Sequence, residues 1–222
     1  MTKHAPITAM PLAYGEVIDV DNPEGTYRVK VKLHGFSGPT NQESGIWARV
    51  AAPFAGSDYG AVMLPDVGHQ VIVGFVAGDQ NYPIVLGSLY TGEAQPADEP
   101  VDGGAVKRWS LTGTNGTHIV MDESQSSEIT METAGGVKVV VTDAGTKVEV
   151  TNGSSTMTLE PSGVTVQTGA AVQIDASTVE VNSGMVTVNS GLSKFSGVVQ
   201  CDVLITNTVV SSTYTPGAGN IW

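Results

Sequence analysis

The sequence predicts an all-β chain in two parts, a small closed barrel followed by a repetitive β-structure built by three copies together. Three observations carry this. Apolar and polar residues alternate with a period of two wherever the pattern is regular, and no segment of useful length repeats every 3.6 residues. Hydrophobic residues make up 41% of the 222-residue chain but aromatics only 6%, with 27 glycines, so the apolar content is mostly valine and other small side chains. Such side chains suit thin β-architectures better than one large globular core. Finally, the second half repeats a short motif and the first half does not, so two modules are the starting expectation for this length.

Residues 1–13 form an N-terminal arm without regular patterning. From Tyr14 to Tyr90 the alternation comes in five runs: Gly15 to Val20, Tyr27 to Leu33, Ile46 to Val50, Gln70 to Val76 and Pro83 to Leu89. The breaks carry turn chemistry, with Asp21-Asn22-Pro23-Glu24-Gly25 after the first run and Gly78-Asp79-Gln80-Asn81 before the last. Five short strands without helices are accommodated by closing on themselves, and a five-stranded OB-like barrel over 14–91 fits that count. Thr91 to Gly104 then reads TGEAQPADEPVDGG, rich in proline, glycine and acids with nothing to bury, so 92–106 is expected to be a linker.

Beyond the linker, apolar pairs at i and i+2 recur, separated by Gly, Asn, Ser or Asp: Ile119/Met121, Ile129/Met131, Val139/Val141, Val148/Val150, Met157/Leu159, Val164/Val166, Val172/Ile174, Val179/Val181 and Val186/Val188. Successive pairs lie nine or ten residues apart at first and later seven or eight. These are short strands joined by tight turns, and they define a needle over 107–202 with a tip over 203–222. The needle core is assigned to Ile129, Met131, Val139, Val141, Val148, Val150, Val164, Val166, Val172, Ile174, Val179, Val181, Val186 and Val188. Two or three inward side chains per strand bury too little to offset the conformational entropy of ordering one repeat, so the repeat must stack. Either one chain coils into a three-sided β-helix or three chains intertwine about a shared axis. A single-chain coil of roughly 24 residues per rung would have only three or four rungs and open edges, which favours a trimeric intertwined β-helix.

Charge excludes several function classes. With 22 acidic and 10 basic residues the formal charge is −12, which repels nucleic acid and anionic membrane surfaces at long range. The lone cysteine, Cys201, is expected to be a buried thiol, and no Cys/His spacing suggests zinc. No stretch of about 20 apolar residues and no leader pattern is present, so synthesis in the cytoplasm without a signal peptide is expected. No nucleophile elbow, P-loop, HExxH or calcium-loop spacing occurs. The acid pairs Asp19/Asp21, Asp98/Glu99 and Asp122/Glu123 read as exposed turn residues rather than two carboxyls across a cleft, and His69, near Asp66, as a loop residue. No catalytic residue, metal ligand or cofactor is therefore assigned. Arg28, Lys30, Lys32 and Arg49 read as outer-face positions, Trp47 and Trp109 as packing residues of the barrel and the needle base. From Pro161 to Cys201 only Asp175, Glu180 and Lys194 are ionisable, and no charge follows Asp202. In that charge-free end, Tyr214, Pro216, Gly217, Gly219, Ile221 and Trp222 are the candidate tip or cap-docking residues.

Four segments carry a family resemblance. GEVIDVDNPEGTYRVKVKLHG at Gly15 to Gly35, IWARVAAPFAG at Ile46 to Gly56, LPDVGHQVIVGFVAGD at Leu64 to Asp79 and YPIVLGSLY at Tyr82 to Tyr90 resemble, in order, the OB domain of phage baseplate spike proteins. The same pattern occurs in the valine-glycine repeat proteins of type VI secretion and in spikes of extracellular contractile injection systems, and the ending YTPGAGNIW resembles the needle of that family. The resemblance implies a homotrimer at the centre of a baseplate, its barrels seated on a separate hub protein and its needle aimed at a target cell envelope. It implies a virion or extracellular contractile particle as the location. The family's lysozyme domain and its C-terminal His-x-His iron site have no counterpart here, since the histidines are His4, His34, His69 and His118. A proline-alanine-alanine-arginine repeat protein is then the expected cap. The alternative from another class is an oligosaccharide-binding barrel on a β-helical stalk, as in an adhesin or tail fibre.

Overall fold

The computed structural model describes residues 12–35 and 44–213. The chain divides into two compact units, the first ending at Val172 and the second beginning at Gln173.

The first unit opens with the barrel. Its strands are β1 (Ala13–Asp19), β2 (Arg28–Leu33), β3 (Ile46–Val50), β6 (Gln70–Phe75) and β7 (Pro83–Ser88), with the small hairpin β4 (Ala55–Gly56) and β5 (Tyr59–Gly60) between β3 and β6. They close in the order β1-β2-β3-β7-β6, so the expected five-stranded OB-like barrel is present. Neighbours are antiparallel except β3 and β7, which run parallel with Arg49 opposite Ile84 and Val50 opposite Val85. Alternation puts Val17, Val29, Val31, Val71, Val73 and Val85 fully inside, with Ala48 beside them and Leu33, Val50 and Phe75 packed at the edge. A barrel this narrow leaves room for side chains only, and branched, compact valine fills it. Bulges at Ile18 in β1 and at Leu86 in β7, where the register with β6 shifts between Ile72 and Val73, bend the strands enough to close.

Local chemistry fixes the loops. Asp19 Oδ1 accepts from the Asp21 N–H at 2.9 Å, and the Asn22 amide donates to Thr26 Oγ1 at 2.7 Å, which turns the chain from β1 into β2. Gly45, leading into β3, has φ +67°, and a Cβ there would stand 2.6 Å from Ile18 Cδ1, so only glycine fits. The long excursion after β3 is pinned back where the Met63 N–H donates to the Tyr27 hydroxyl at 2.7 Å.

The segment read as a linker contains a minimal hairpin, β8 (Val101–Asp102) and β9 (Ala105–Val106), turning through Gly103 and Gly104, both at positive φ. Seven strands follow: β10 (Arg108–Thr112), β11 (His118–Asp122), β12 (Glu128–Glu132), β13 (Lys138–Thr142), β14 (Lys147–Thr151), β15 (Ser155–Glu160) and β16 (Gly163–Thr168). They form one sheet in sequence order, each strand antiparallel to the next. Neither a single-chain coil nor the expected intertwined β-helix of three chains is therefore how this stretch pairs. The short turns reverse the chain and lay each strand beside its predecessor, whereas a coil would carry it on to a parallel partner one rung away.

In the second unit, residues 173–213 form no strand or ladder within the chain. Bends fall at Ser177, Gly184 and Gly191, seven residues apart, and then at Ser196–Gly197, Asp202, Asn207 and Ser212–Thr213, about five apart. Local hydroxyl contacts recur near these bends: Ser183 Oγ donates to the Met185 carbonyl at 2.7 Å, Ser190 Oγ to that of Leu192 at 2.6 Å, and Ser211 Oγ to that of Thr213 at 2.6 Å.

Candidate functional site

The apolar pairs that define the repeat come together on one face of the seven-stranded sheet. Because cross-strand partners share a face, the register aligns them into two unbroken rows. One row runs Trp109, Met121, Ile129, Val141, Val148, Leu159, Val164; the other runs Leu111, Ile119, Met131, Val139, Val150, Met157, Val166. The assigned core residues up to Val166 all lie in these rows. Nothing among the described residues covers them. Ile129 is 44% exposed, Val141 42% and Val166 57%, while Val139 and Val148 are half-buried. Monomeric soluble proteins rarely present so continuous an apolar surface.

The opposite face is mainly polar, with Val120 and Val140 on either side of Thr130, and it carries the ion pairs of the sheet. Arg108 Nε lies 2.8 Å from Asp122 Oδ2 across β10 and β11, Lys138 Nζ 3.7 Å from Glu132 Oε2 across β12 and β13, and Lys147 Nζ 3.1 Å from Glu149 Oε2 on β14. Thr130 and Thr142 are buried there, Thr130 Oγ1 donating to Glu128 Oε1 at 3.1 Å. The two faces differ in kind, which tells the sheet which side to hide.

Asp122 corrects one expectation from sequence. Rather than a free turn carboxylate, it ends β11 and accepts from the Ser124 N–H at 2.8 Å as well as from Arg108. Hydrogen bonds from Ser124, then from Arg108, hold its carboxyl down at about 2 against an ordinary 3.8, and the same contact raises Arg108. A carboxyl whose folded pKa is depressed stabilises the fold above its unfolded pKa and loses that contribution as pH falls through the folded one. The Arg108–Asp122 link should thus weaken between pH 3.8 and about 2. An NMR titration of the Asp122 carboxyl should show a midpoint near 2, and a midpoint near 4 would mean that the link does not form in solution.

The other sequence candidates are dispersed. His69 sits in the turn before β6, where its Nδ1 accepts from the Asp66 N–H at 3.2 Å, a turn-closing role. Asp19 caps its own loop, and the Glu123 N–H donates to the Lys107 carbonyl at 2.8 Å. Among the described residues no three His, Cys, Asp or Glu side chains come together as a metal site. Cys201, expected to be buried, is exposed, on a segment that pairs with no strand among the described residues. Trp109 joins the open apolar face, whereas Trp47 lies on the barrel's outside under the Lys30 ammonium, 6.0 Å from its ring centre. Tyr214, Pro216, Gly217, Gly219, Ile221 and Trp222 lie outside the described residues. Within 173–213 the remaining core residues are open too, from Val179 at 62% to Ile174 at 70% exposed. Among the described residues no helix is long and apolar enough to cross a membrane.

Comparison with known proteins bears out the resemblance over the barrel. Residues 13–90 match the type VI secretion system/phage-baseplate injector OB domain family. Over 76 residues, 34% of this chain and 7% of the relative, the protein is 43% identical to the type VI secretion system spike protein VgrG3 of Vibrio cholerae serotype O1. It is 32% identical to the spike protein VgrG1c of Pseudomonas aeruginosa over 138 residues, 55% of this chain and 19% of that one. Over 50 residues, 22% of this chain and 5% of the relative, it is 46% identical to a protein named actin cross-linking toxin VgrG1, also from Vibrio cholerae. The matched stretches span less than a fifth of these relatives' own length.

Proposed function

We propose that this protein is a structural spike, a membrane-piercing needle at the centre of the baseplate of a contractile tail or contractile injection system, acting mechanically as a homotrimer. The observation that carries the reading is the pair of open apolar rows on β10–β16, followed by residues 173–213, which keep the apolar alternation but find no strand partner in their own chain. Three copies satisfy both. Around a threefold axis, three sheets with their rows turned inward make a closed prism with the polar faces outside. Further along, buried backbone N–H and C=O groups need partners, and two neighbouring chains interlacing with the third provide them.

On this reading the prism comes first and the intertwined β-helix second, with Val172, Ile174, Val179, Val181, Val186 and Val188 filling the interlaced core. Each straight segment between bends makes one side of a rung. Sides of seven residues span about 23 Å and sides of five about 17 Å at roughly 3.3 Å per residue, so the needle narrows toward its tip. The scarcity of charge after Pro161 lowers the desolvation cost of driving that end through an envelope. By the family resemblance, the barrels (14–91) seat on a hub protein, a proline-alanine-alanine-arginine repeat protein caps the tip at 203–222, and the particle acts outside the cell that made it. No catalytic residue or cofactor is assigned.

Two readouts on contractile particles purified from the producing cells test this. Gold-labelled antibody against the barrel should mark the baseplate end only, and the purified chain incubated with peptidoglycan should release no soluble fragments. Label along the sheath would remove the spike role; fragment release would replace mechanics with catalysis.

A further inference from the structure

The barrel carries a second unpartnered surface, unrelated to the open sheet. Arg28, Lys30 and Lys32 on β2 point outward as Val29 and Val31 point in, and Trp47 and Arg49 on β3 flank the buried Ala48. The β2–β3 register sets Arg28 directly opposite Arg49 and Lys30 opposite Trp47. Like charges in that relation destabilise a sheet, and nothing in the barrel's closure requires two arginines there. Glu24 offsets part of it, 3.0 Å from Arg28 but itself 65% exposed, and on the β1 side Lys30 stands opposite Asp19 and Lys32 opposite Glu16, which leaves Arg49 as the basic residue of the face with no acid placed opposite it among the described residues. Four of the chain's ten basic residues thus gather on two strands of a molecule carrying 22 acids.

The surface is also shaped. A cleft of about 290 Å³ is lined by Arg28, Arg49, Trp47, Asn81, Tyr82 and Ile84, and a second hollow of about 320 Å³ shares both arginines. The guanidinium pair therefore forms the ridge between two recesses. Tyr82, from the loop between β6 and β7, is 63% exposed at the rim. Trp47 is half-buried, with the Lys30 ammonium 6.0 Å from its ring centre over one face. Paired guanidinium forks suit carboxylates, which they can hold bidentately.

We infer that the β2–β3 face of the barrel docks a short acidic segment of a separate partner polypeptide, its carboxylates on Arg28 and Arg49 and a neighbouring side chain in the cleft beside Tyr82. The charge of −12 favours this occupant over a polyanionic glycan or nucleic acid, which the whole molecule repels, whereas a brief acidic stretch in an otherwise neutral protein meets only the local field. The inference rests on the barrel alone and stands apart from the trimeric needle.

The test uses the full chain and a fluorescein-labelled peptide of four glutamates and one tyrosine, read by fluorescence polarisation. Binding should saturate, weaken with added salt, and fall at least tenfold in the Arg28→Gln/Arg49→Gln double variant, with a smaller loss in Arg49→Gln alone. Lys147→Gln, on the sheet, should bind like the parent. Because the double variant removes a repulsion, its barrel should melt no earlier than the parent's. Undiminished binding by the double variant overturns the proposal, as does tighter binding of a sulfated tetrasaccharide than of the peptide. A changed solution mass in the double variant would assign the face to contact between copies and also overturn it.

Discussion

Light scattering on the purified chain should return the mass of three copies, while residues 1–91 alone should run as one. The barrel is complete within a single copy: its five strands close and its valine core is fully buried. The sheet is not complete, since both apolar rows stand open, and residues 173–213 have no strand partner among the described residues. Assembly free energy therefore resides in the repeat, and its folding and trimerisation should be one concentration-dependent event. A full-length monomer would remove the needle reading and leave the stalked oligosaccharide-binding module as the better account. A trimeric barrel fragment would relocate the interface.

Val141→Asp should abolish the trimer at micromolar concentration and leave the barrel folded. Val141 sits mid-row, opposite Ile129 on one side and Val148 on the other, where the proposed prism would leave no water and no cation for a carboxylate. An unpaired buried charge costs on the order of 3–5 kcal/mol, incurred here in every copy. Loss of trimer mass and of the needle's thermal transition, with an unchanged barrel transition, is the expected pattern by light scattering and calorimetry. Thr165→Asp is the control, because Thr165 faces Thr158 on the polar side and should leave the mass intact. Equal tolerance of both substitutions would show that the apolar rows are not an interior surface.

The period of two placed all five barrel strands within two residues of their observed ends, because alternation records which side chains face inward. The same logic identified the apolar pairs of the repeat and the glycines and asparagines that separate them. It could not say which strand donates hydrogen bonds to which. An i, i+2 pair is compatible with a coil, a meander or an interchain rung, and only the register revealed two continuous rows in an antiparallel sheet. Asp122 was misread for a related reason, since its partner Arg108 is distant in sequence and reaches it only through strand pairing.

What the sequence by itself determined is the class of each part: a valine-filled five-stranded barrel, then thin β-repeats of short strands joined by tight turns. These follow from the composition and periodicity of side chains, which are local properties. Tertiary structure decided the rest: the parallel closure of β3 on β7, the apolar rows left open, the sudden end of intrachain pairing after β16, and the opposition of Arg28 and Arg49. Each depends on pairing between residues far apart in the chain, where loop closure and register select among partners that local patterning leaves equivalent.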